Sequence, residues 1–194
     1  DHLPLVDYRS APIEFCEVAA MSMELLTHDF LDEFYSPEDA NRAVREHLEG
    51  IVSILAWIAT IDAFQHWIYT NPGHTKEERH QQWIELGERF GSILDWSEFE
   101  EWRKVGWQRQ LHLFSYPFYY IEYGIAQLGA LQLWLQYQKN PQTALDNYAR
   151  SMRLGGSRPL PELFEAGEMS FDLGSTTVEG LIDAVRTELD QLPA

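Results

Sequence analysis

The sequence has 194 residues, the length of one domain or of one domain with a small appendage, and its 45% hydrophobic and 23% charged residues are an ordinary globular mixture. Its 31 acidic against 14 basic residues give a formal net charge of −17. That sign sets aside nucleic acid, which is bound through lysine and arginine, and any anionic membrane surface, which the charge repels. Cys16 is the only cysteine, so no intramolecular disulfide implies an oxidising compartment. The longest apolar run, 51–61, holds Ser53 and Thr60, is followed by Asp62, and falls short of the roughly 18 residues of a membrane span. The first residues have neither the basic start nor the apolar centre of a signal peptide, and no initiator methionine opens the chain. The expectation is a cytoplasmic piece of a longer protein, in contact with neither nucleic acid nor membrane.

Apolar residues recurring at helical spacing predict helices over 12–35, 38–70, 76–91, 98–110, 118–138, 142–153 and 177–191. A short helical turn is expected at 161–166, with a loop over 167–175 before the last helix. Ser36-Pro37-Glu38-Asp39 combines a capping serine, a proline at the first helical position and two first-turn acids. Thr75 with Glu78, Ser97 with Glu100 and Thr176 with Glu179 fit the reciprocal capping box, and Asn140-Pro141 repeats the cap-then-proline order. Asn71-Pro72-Gly73 and Gly155-Gly156 end helices, the latter in the left-handed style that suits glycine. No strand, repeat or linker divides the chain, so the expected fold class is all-α, in one unit over residues 1–194. Leu48, Ile51, Leu55, Ile58 and Asp62 step along one side, and Ile54, Trp57, Ile61 and Phe64 widen the apolar zone, so the helix over 38–70 is predicted to be central and buried on more than one face.

Two segments depart from ordinary core-and-surface patterning. In the opening helix Glu14, Glu17, Met21, Glu24 and His28 follow one another at spacings that stack them on one face. Such a file is either a solvated face or a site. The apolar neighbours Ile13, Phe15, Cys16, Val18, Ala19, Ala20, Met23, Leu25 and Leu26 predict burial over much of the helix, where a carboxylate needs a cation, a metal or hydrogen bonds. Cys16, among those neighbours and with no adjacent basic residue, is expected to be inert.

The second segment runs from Gln110 to Gln127. Pro117 suits a first helical turn, leaving His112 just outside it, and Tyr116, Tyr120 and Tyr123 are spaced to project from one side with Tyr119 beside them. Phenols grouped after a histidine can hold a developing oxyanion; they can equally be aromatic packing around a satisfied loop histidine. His-Glu-x-x-His, Gly-x-Ser-x-Gly, a phosphate-binding glycine loop and Cys-x-x-Cys are all absent from the sequence. Glu77-x-x-His80 has no second copy, so the paired pattern of a di-iron bundle is not met. His66 and His74 flank a turn and read as structural.

Together the segments Pro12-Ile13-Glu14-Phe15-Cys16-Glu17-Val18-Ala19, Met23-Glu24-Leu25-Leu26, 64–69 (Phe-Gln-His-Trp-Ile-Tyr), Pro117 to Tyr123 and Leu154-Gly155-Gly156-Ser157 resemble the oligoendopeptidase F family of zinc metallopeptidases, relatives of thimet oligopeptidase. The resemblance is to the C-terminal helical part of the catalytic domain and runs over nearly the whole chain. It implies a zinc-dependent endopeptidase acting on short peptides. By match to the family's segment, Glu17 is the implied third zinc ligand, Glu24 the implied carboxylate that orients a ligand, and Glu14 a neighbour of less defined role. His112 and the cluster Tyr116, Tyr120 and Tyr123 are the implied oxyanion donors, with Tyr123 placed first. Ala20 departs from the serine of the thimet branch. Because the His-Glu-x-x-His helix is not in this sequence, the resemblance further implies that these 194 residues bind zinc weakly or not at all and are inactive alone, their partner being the N-terminal part of the same protein. The alternative is a non-catalytic acidic helical module that binds a peptide or protein.

Overall fold

A computed structural model describes residues 3–91 and 94–193. Its α-helices are α1 (Ile13–Leu26), α2 (Pro37–Thr70), α3 (Lys76–Phe90), α4 (Glu100–Arg103), α5 (His112–Ser115), α6 (Ile121–Lys139), α7 (Pro141–Met152), α8 (Leu160–Ala166) and α9 (Ser175–Gln191). Short 3-10 segments lie at Asp7–Arg9, Thr27–Glu33 and Gly106–Arg109, and no strand occurs among the described residues. The fold class is all-α, as the periodicity predicts.

The chain packs as two compact units, one of residues 1–50 with 125–194, the other of residues 51–124. Both boundaries fall inside unbroken helix, in α2 and in α6. Each boundary follows a glycine, Gly50 and Gly124, but neither glycine breaks its helix and no composition shift accompanies it, so sequence punctuation predicts no division.

In the first unit Phe15, Val18 and Leu26 of α1 meet Ala126 and Leu133 of α6, Ala144 of α7, Leu163 and Phe164 of α8, and Met169. The rings of Phe15 and Phe164 lie 5.8 Å apart, tilted. A Cβ at Gly129 would come within 3.0 Å of both the Phe164 ring and the Val18 side chain, so glycine lets α1 and α8 close on α6. Gly155 takes φ +52°, the left-handed turn expected after α7. Beside it the Gly156 N–H donates to the Tyr8 carbonyl at 2.8 Å, tying down the N-terminal segment. The Arg45 guanidinium donates to the carbonyls of Leu192 (3.1 Å) and Pro193 (3.0 Å), a cation placed on the chain leaving α9.

The second unit is organised around Ile61, Phe64, Trp83, Leu86 and Trp107. Trp83 meets Trp57 edge-on at 5.6 Å and Phe64 at 5.1 Å, and its indole N–H donates to the Arg103 carbonyl at 3.1 Å. Its polar edge is therefore satisfied inside the core, whereas the buried indole N–H of Trp107 has no partner among the described residues.

Helix ends follow side-chain chemistry where the acceptor is uncontested. The Thr75–Glu78 box forms, Ser36 Oγ accepts from the Asp39 N–H, and Asn140 accepts from the Thr143 N–H ahead of Pro141. The boxes expected at Ser97–Glu100 and Thr176–Glu179 do not form. Asp95 accepts the Ser97 N–H, and Asp172 accepts from the Thr177 hydroxyl and the Gly174 N–H. In each case an earlier carboxylate, the stronger acceptor, takes donors around the expected cap, and neither α4 nor α9 has a side-chain cap. The expected helix over 98–110 is two short pieces on either side of Val105. The expected helix over 12–35 stops at Leu26, where the Thr27 hydroxyl donates back to the Glu24 carbonyl and the chain tightens to 3-10.

Two expectations about α2 are corrected. Although no apolar run is long, α2 is long and apolar enough by length and composition to cross a membrane, with an 18-residue window of mean hydropathy 1.4. Ser53, Thr60 and Asp62 interrupt the run without lowering its average far. The helix is also less enclosed than predicted: a third of that window is buried, with Leu48, Ile51, Ile58, Ile61 and Phe64 inside while Val52 and Trp57 are exposed.

Candidate active site

On α1 the inward positions are Phe15, Val18, Ser22, Leu25 and Leu26. That phase leaves Glu14 and Glu17 half-buried and Glu24 exposed. The predicted burial over most of the helix does not occur: Ile13, Cys16, Ala20 and Met23 are exposed and form an apolar margin beside the carboxylates. Cys16 is on the surface rather than enclosed, its thiol donating to the Ala11 carbonyl at 3.7 Å.

His28 does not continue the file. The change from α-helix to 3-10 after Leu26 turns it aside, and its Nε2 lies 2.7 Å from Nδ1 of His47 on α2. The two rings meet edge-on with centroids 4.9 Å apart. Glu24 reaches the other nitrogen of His47, Oε2 to Nε2, at 3.6 Å. Burial, with the charge of His47 second, pushes the His28 pKa down to about 4. Burial also lowers that of His47, partly offset by Glu24.

Catalytic zinc ordinarily takes three protein ligands. Among the described residues no group of three or more His, Cys, Asp and Glu side chains is placed to hold a metal. Glu17 offers one carboxylate, so the donors of this chain do not by themselves fit a zinc ion.

The segment from Gln110 to Tyr123 belongs to the second unit and is built differently from the expectation. His112 opens α5 instead of lying outside a helix, Tyr116 caps that helix, and α6 begins only at Ile121. Tyr116, Tyr119 and Tyr120 therefore sit in the turn before α6, and Tyr123 alone lies in its first turn. The turn is made by Pro117 and by Phe118, which takes the left-handed φ of +60°. It still gathers the predicted side chains. The His112 ring lies 4.9 Å from Tyr120, 5.8 Å from Tyr119, 6.1 Å from Tyr123 and 6.2 Å from Tyr116, centroid to centroid.

Hydrogen bonding gives this cluster a polarity. The Gln110 side-chain amide meets His112 Nδ1 at 2.8 Å. With that amide donating, Nδ1 is the acceptor and a neutral ring carries its proton on Nε2, as a donor. Burial raises the pKa of Tyr120, the nearby Tyr123 adds to it, and hydrogen bonds from Trp57 and Gln110 oppose it. The net rise keeps Tyr120 a protonated phenol at neutral pH, able to donate. Gln110 and Trp57 are thus part of the site, and the sequence assigns neither of them a role. Gln110 carries only its closeness to His112 as a signal, and Trp57, on a distant stretch of chain, carries none.

Of the other described histidines, His74 is joined through Nδ1 to the Asn71 carbonyl at 2.6 Å and receives the Arg79 Nε–H at 2.8 Å, His66 faces Asp62 at 3.5 Å, and His80 is buried on α3.

All-α architecture of this kind occurs in solved peptidase structures. The chain superposes on a provisionally assigned oligoendopeptidase F with a TM-score of 0.84 at 32% identity, covering 98% of this chain and 34% of that one. It matches PZ peptidase A, solved with an inhibitor, with a TM-score of 0.87 at 32% identity over 97% of this chain and 34% of that one. A provisionally assigned oligoendopeptidase F from Bacillus anthracis gives 0.76 at 27% identity, over 97% and 30% respectively. No curated protein sequence matches significantly. Residues 1–176 match the profile of Peptidase family M3, and the chain belongs to that family. It spans about a third of the length of the structures it resembles.

Proposed function

We propose that this chain is the C-terminal helical part of the catalytic domain of a zinc-dependent endopeptidase that hydrolyses short peptides. The observation that carries the reading is the ring of tyrosines around His112, polarised by Gln110 so that its free nitrogen and the Tyr120 phenol are both donors. Donors fixed in this way suit the oxyanion that forms when a peptide carbonyl is attacked, and one such donor typically contributes about 3–4 kcal/mol to the transition state. Tyr123 and Tyr120 are the proposed phenol donors, with Tyr116, which is more exposed, in a peripheral position.

Glu17 is the proposed metal ligand of this chain, with Glu24 in an orienting role and Glu14 beside it. The further ligands and the water-activating base are proposed to come from a His-Glu-x-x-His helix elsewhere in the protein. The exposed apolar margin of Ile13, Cys16, Ala20 and Met23 beside Glu17 supports a further segment covering this face, as does the greater length of the structural relatives. On this reading the 194 residues alone do not turn over peptides.

The test is substitution in the longest form of the protein, with zinc content and cleavage of a quenched fluorescent peptide as readouts. Glu17→Gln is expected to lose both metal and activity. Tyr120→Phe is expected to keep the metal and to lower kcat by roughly 10²–10³. Unchanged metal content and turnover in Glu17→Gln overturns the assignment and leaves a helical binding module.

A further inference from the structure

A cavity of about 750 Å³ lies within the second unit, beside the histidine–tyrosine cluster. Its size is that of a small-ligand site, which typically measures roughly 300–1,000 Å³. Four of the seven tryptophans line it: Trp57, Trp83, Trp96 and Trp102. Gln110 and Arg109 line it as well. Two of these side chains belong also to the histidine–tyrosine cluster, since Gln110 holds His112 and Trp57 hydrogen-bonds Tyr120. A ligand in the cavity therefore lies one side chain away from His112.

The charge of the lining is unusual for this chain. In a protein of net charge −17, the exposed Arg109 side chain has no ion pair or hydrogen bond among the described residues, whereas the neighbouring Arg103 is held by Glu88 at 3.1 Å. An unpaired guanidinium at the edge of a cavity can anchor a carboxylate through two parallel hydrogen bonds. Indole walls favour an aromatic guest through edge-to-face and offset contacts.

We infer that this cavity binds an aromatic side chain that adjoins a carboxylate on a short peptide, the ring among the tryptophans and the carboxylate on Arg109. The carboxylate is either the peptide C-terminus or a neighbouring acidic side chain. The inference deepens the peptidase reading, on which the peptide nature of the ligand rests.

Binding to the 194-residue chain is measured by titration, following the indole N–H resonances. The probes are N-acetylphenylalanine, N-acetylphenylalanine amide and N-acetyl-glutamyl-phenylalanine amide. N-acetylphenylalanine is expected to shift the indole signals if the C-terminus is the source of charge, and the glutamyl amide if the side chain is. The uncharged amide is expected to bind at least fivefold more weakly than whichever acid binds, and Arg109→Gln to erase that difference.

Gly87→Leu fills the cavity from α3. A Cβ there meets only the end of the Arg103 side chain, at 3.9 Å, so the helix accommodates it. It is expected to weaken binding at least tenfold with helix content and Tm kept. If Gly87→Leu unfolds, Trp102→Ala, a substitution of a largely exposed residue, takes its place. Equal binding of acids and amide, or undiminished binding in the filled cavity, overturns the inference. Binding needs no turnover, so the two readings fail separately. A chain that binds as expected within a longer protein that cleaves nothing refutes the peptidase alone, and cleavage without this binding refutes the cavity alone.

Discussion

His28 and His47 should make the stability of the first unit depend on pH in a definite window. In the unfolded chain an imidazole takes its proton near pH 6.5, whereas in the fold burial holds His28 down to about 4. Between those values the unfolded state binds more protons than the folded one, so stability rises with pH and is lost as pH falls from 6.5 toward 4. Below 4 both states are protonated and the loss stops. The interval is worth at most about 3 kcal/mol, and solvent reaching this half-buried pair reduces the expected loss to about 1–2 kcal/mol. The acids nearby do not cancel it: Glu24 faces His47, and Asp29 and Glu188 line the small cavity beside His28 without raising its pKa. The perturbation is His28→Gln, which keeps a hydrogen-bonding group opposite His47 but cannot titrate. Urea unfolding is followed at pH 7, 5.5 and 4.5 for both proteins. The relief of repulsion as the many carboxylates become protonated is common to both and drops out of their difference. The wild type is expected to lose about 1–2 kcal/mol more than the variant between pH 7 and 4.5. Parallel curves for the two proteins would refute the reasoning.

Thr75→Ala removes the hydroxyl half of the capping box on α3, the backbone N–H that donates to Glu78 remaining, and is expected to cost about 1 kcal/mol, read as a lowered midpoint in thermal unfolding. Gly155→Ala places a Cβ 2.2 Å from the Tyr8 carbonyl oxygen at φ +52°, so it is expected to destabilise by more than about 1 kcal/mol. Gly50→Ala, inside α2 with nothing within 4 Å of the new carbon, is expected to stabilise by about 0.5–1 kcal/mol in the same denaturation assay.

The all-α class and most of the helix spans were legible because periodicity and caps act locally. Thr75, Asn140 and Gly155 each specify their turn through neighbours a few residues away. The failures came where a choice was made between local partners or by distant ones. Ser97 and Thr176 are good caps in isolation, but Asp95 and Asp172 are stronger acceptors nearby. Spacing puts His28 on the helical phase of Glu24, but the chain leaves that phase after Leu26, where the Thr27 hydroxyl bonds back to the preceding turn. At the candidate site the cluster around His112 was legible as a group of residues, but its geometry was not. Gln110 and Trp57 act through contacts that no spacing rule encodes.

The backbone at Phe118 bears on how the two candidate elements differ. Glu17 is fixed by a regular helix, where hydrogen bonds of the main chain and the buried positions Phe15 and Val18 set its direction. The donors around His112 are fixed by side chains instead, because the chain there is short helix, turn and helix start. Phe118 is a bulky residue in the left-handed region, a conformation that costs on the order of 1–3 kcal/mol and persists only when its surroundings enforce it. The surroundings are visible: its ring packs at 5.1 Å on His66 and at 5.0 Å on Tyr69, both at the end of α2. The end of α2 thus holds the turn that directs Tyr119 and Tyr120 back onto His112. The segment Phe64 to Tyr69 then has a physical reason to accompany the tyrosine loop, since its aromatic residues hold the turn without which the donors would not converge.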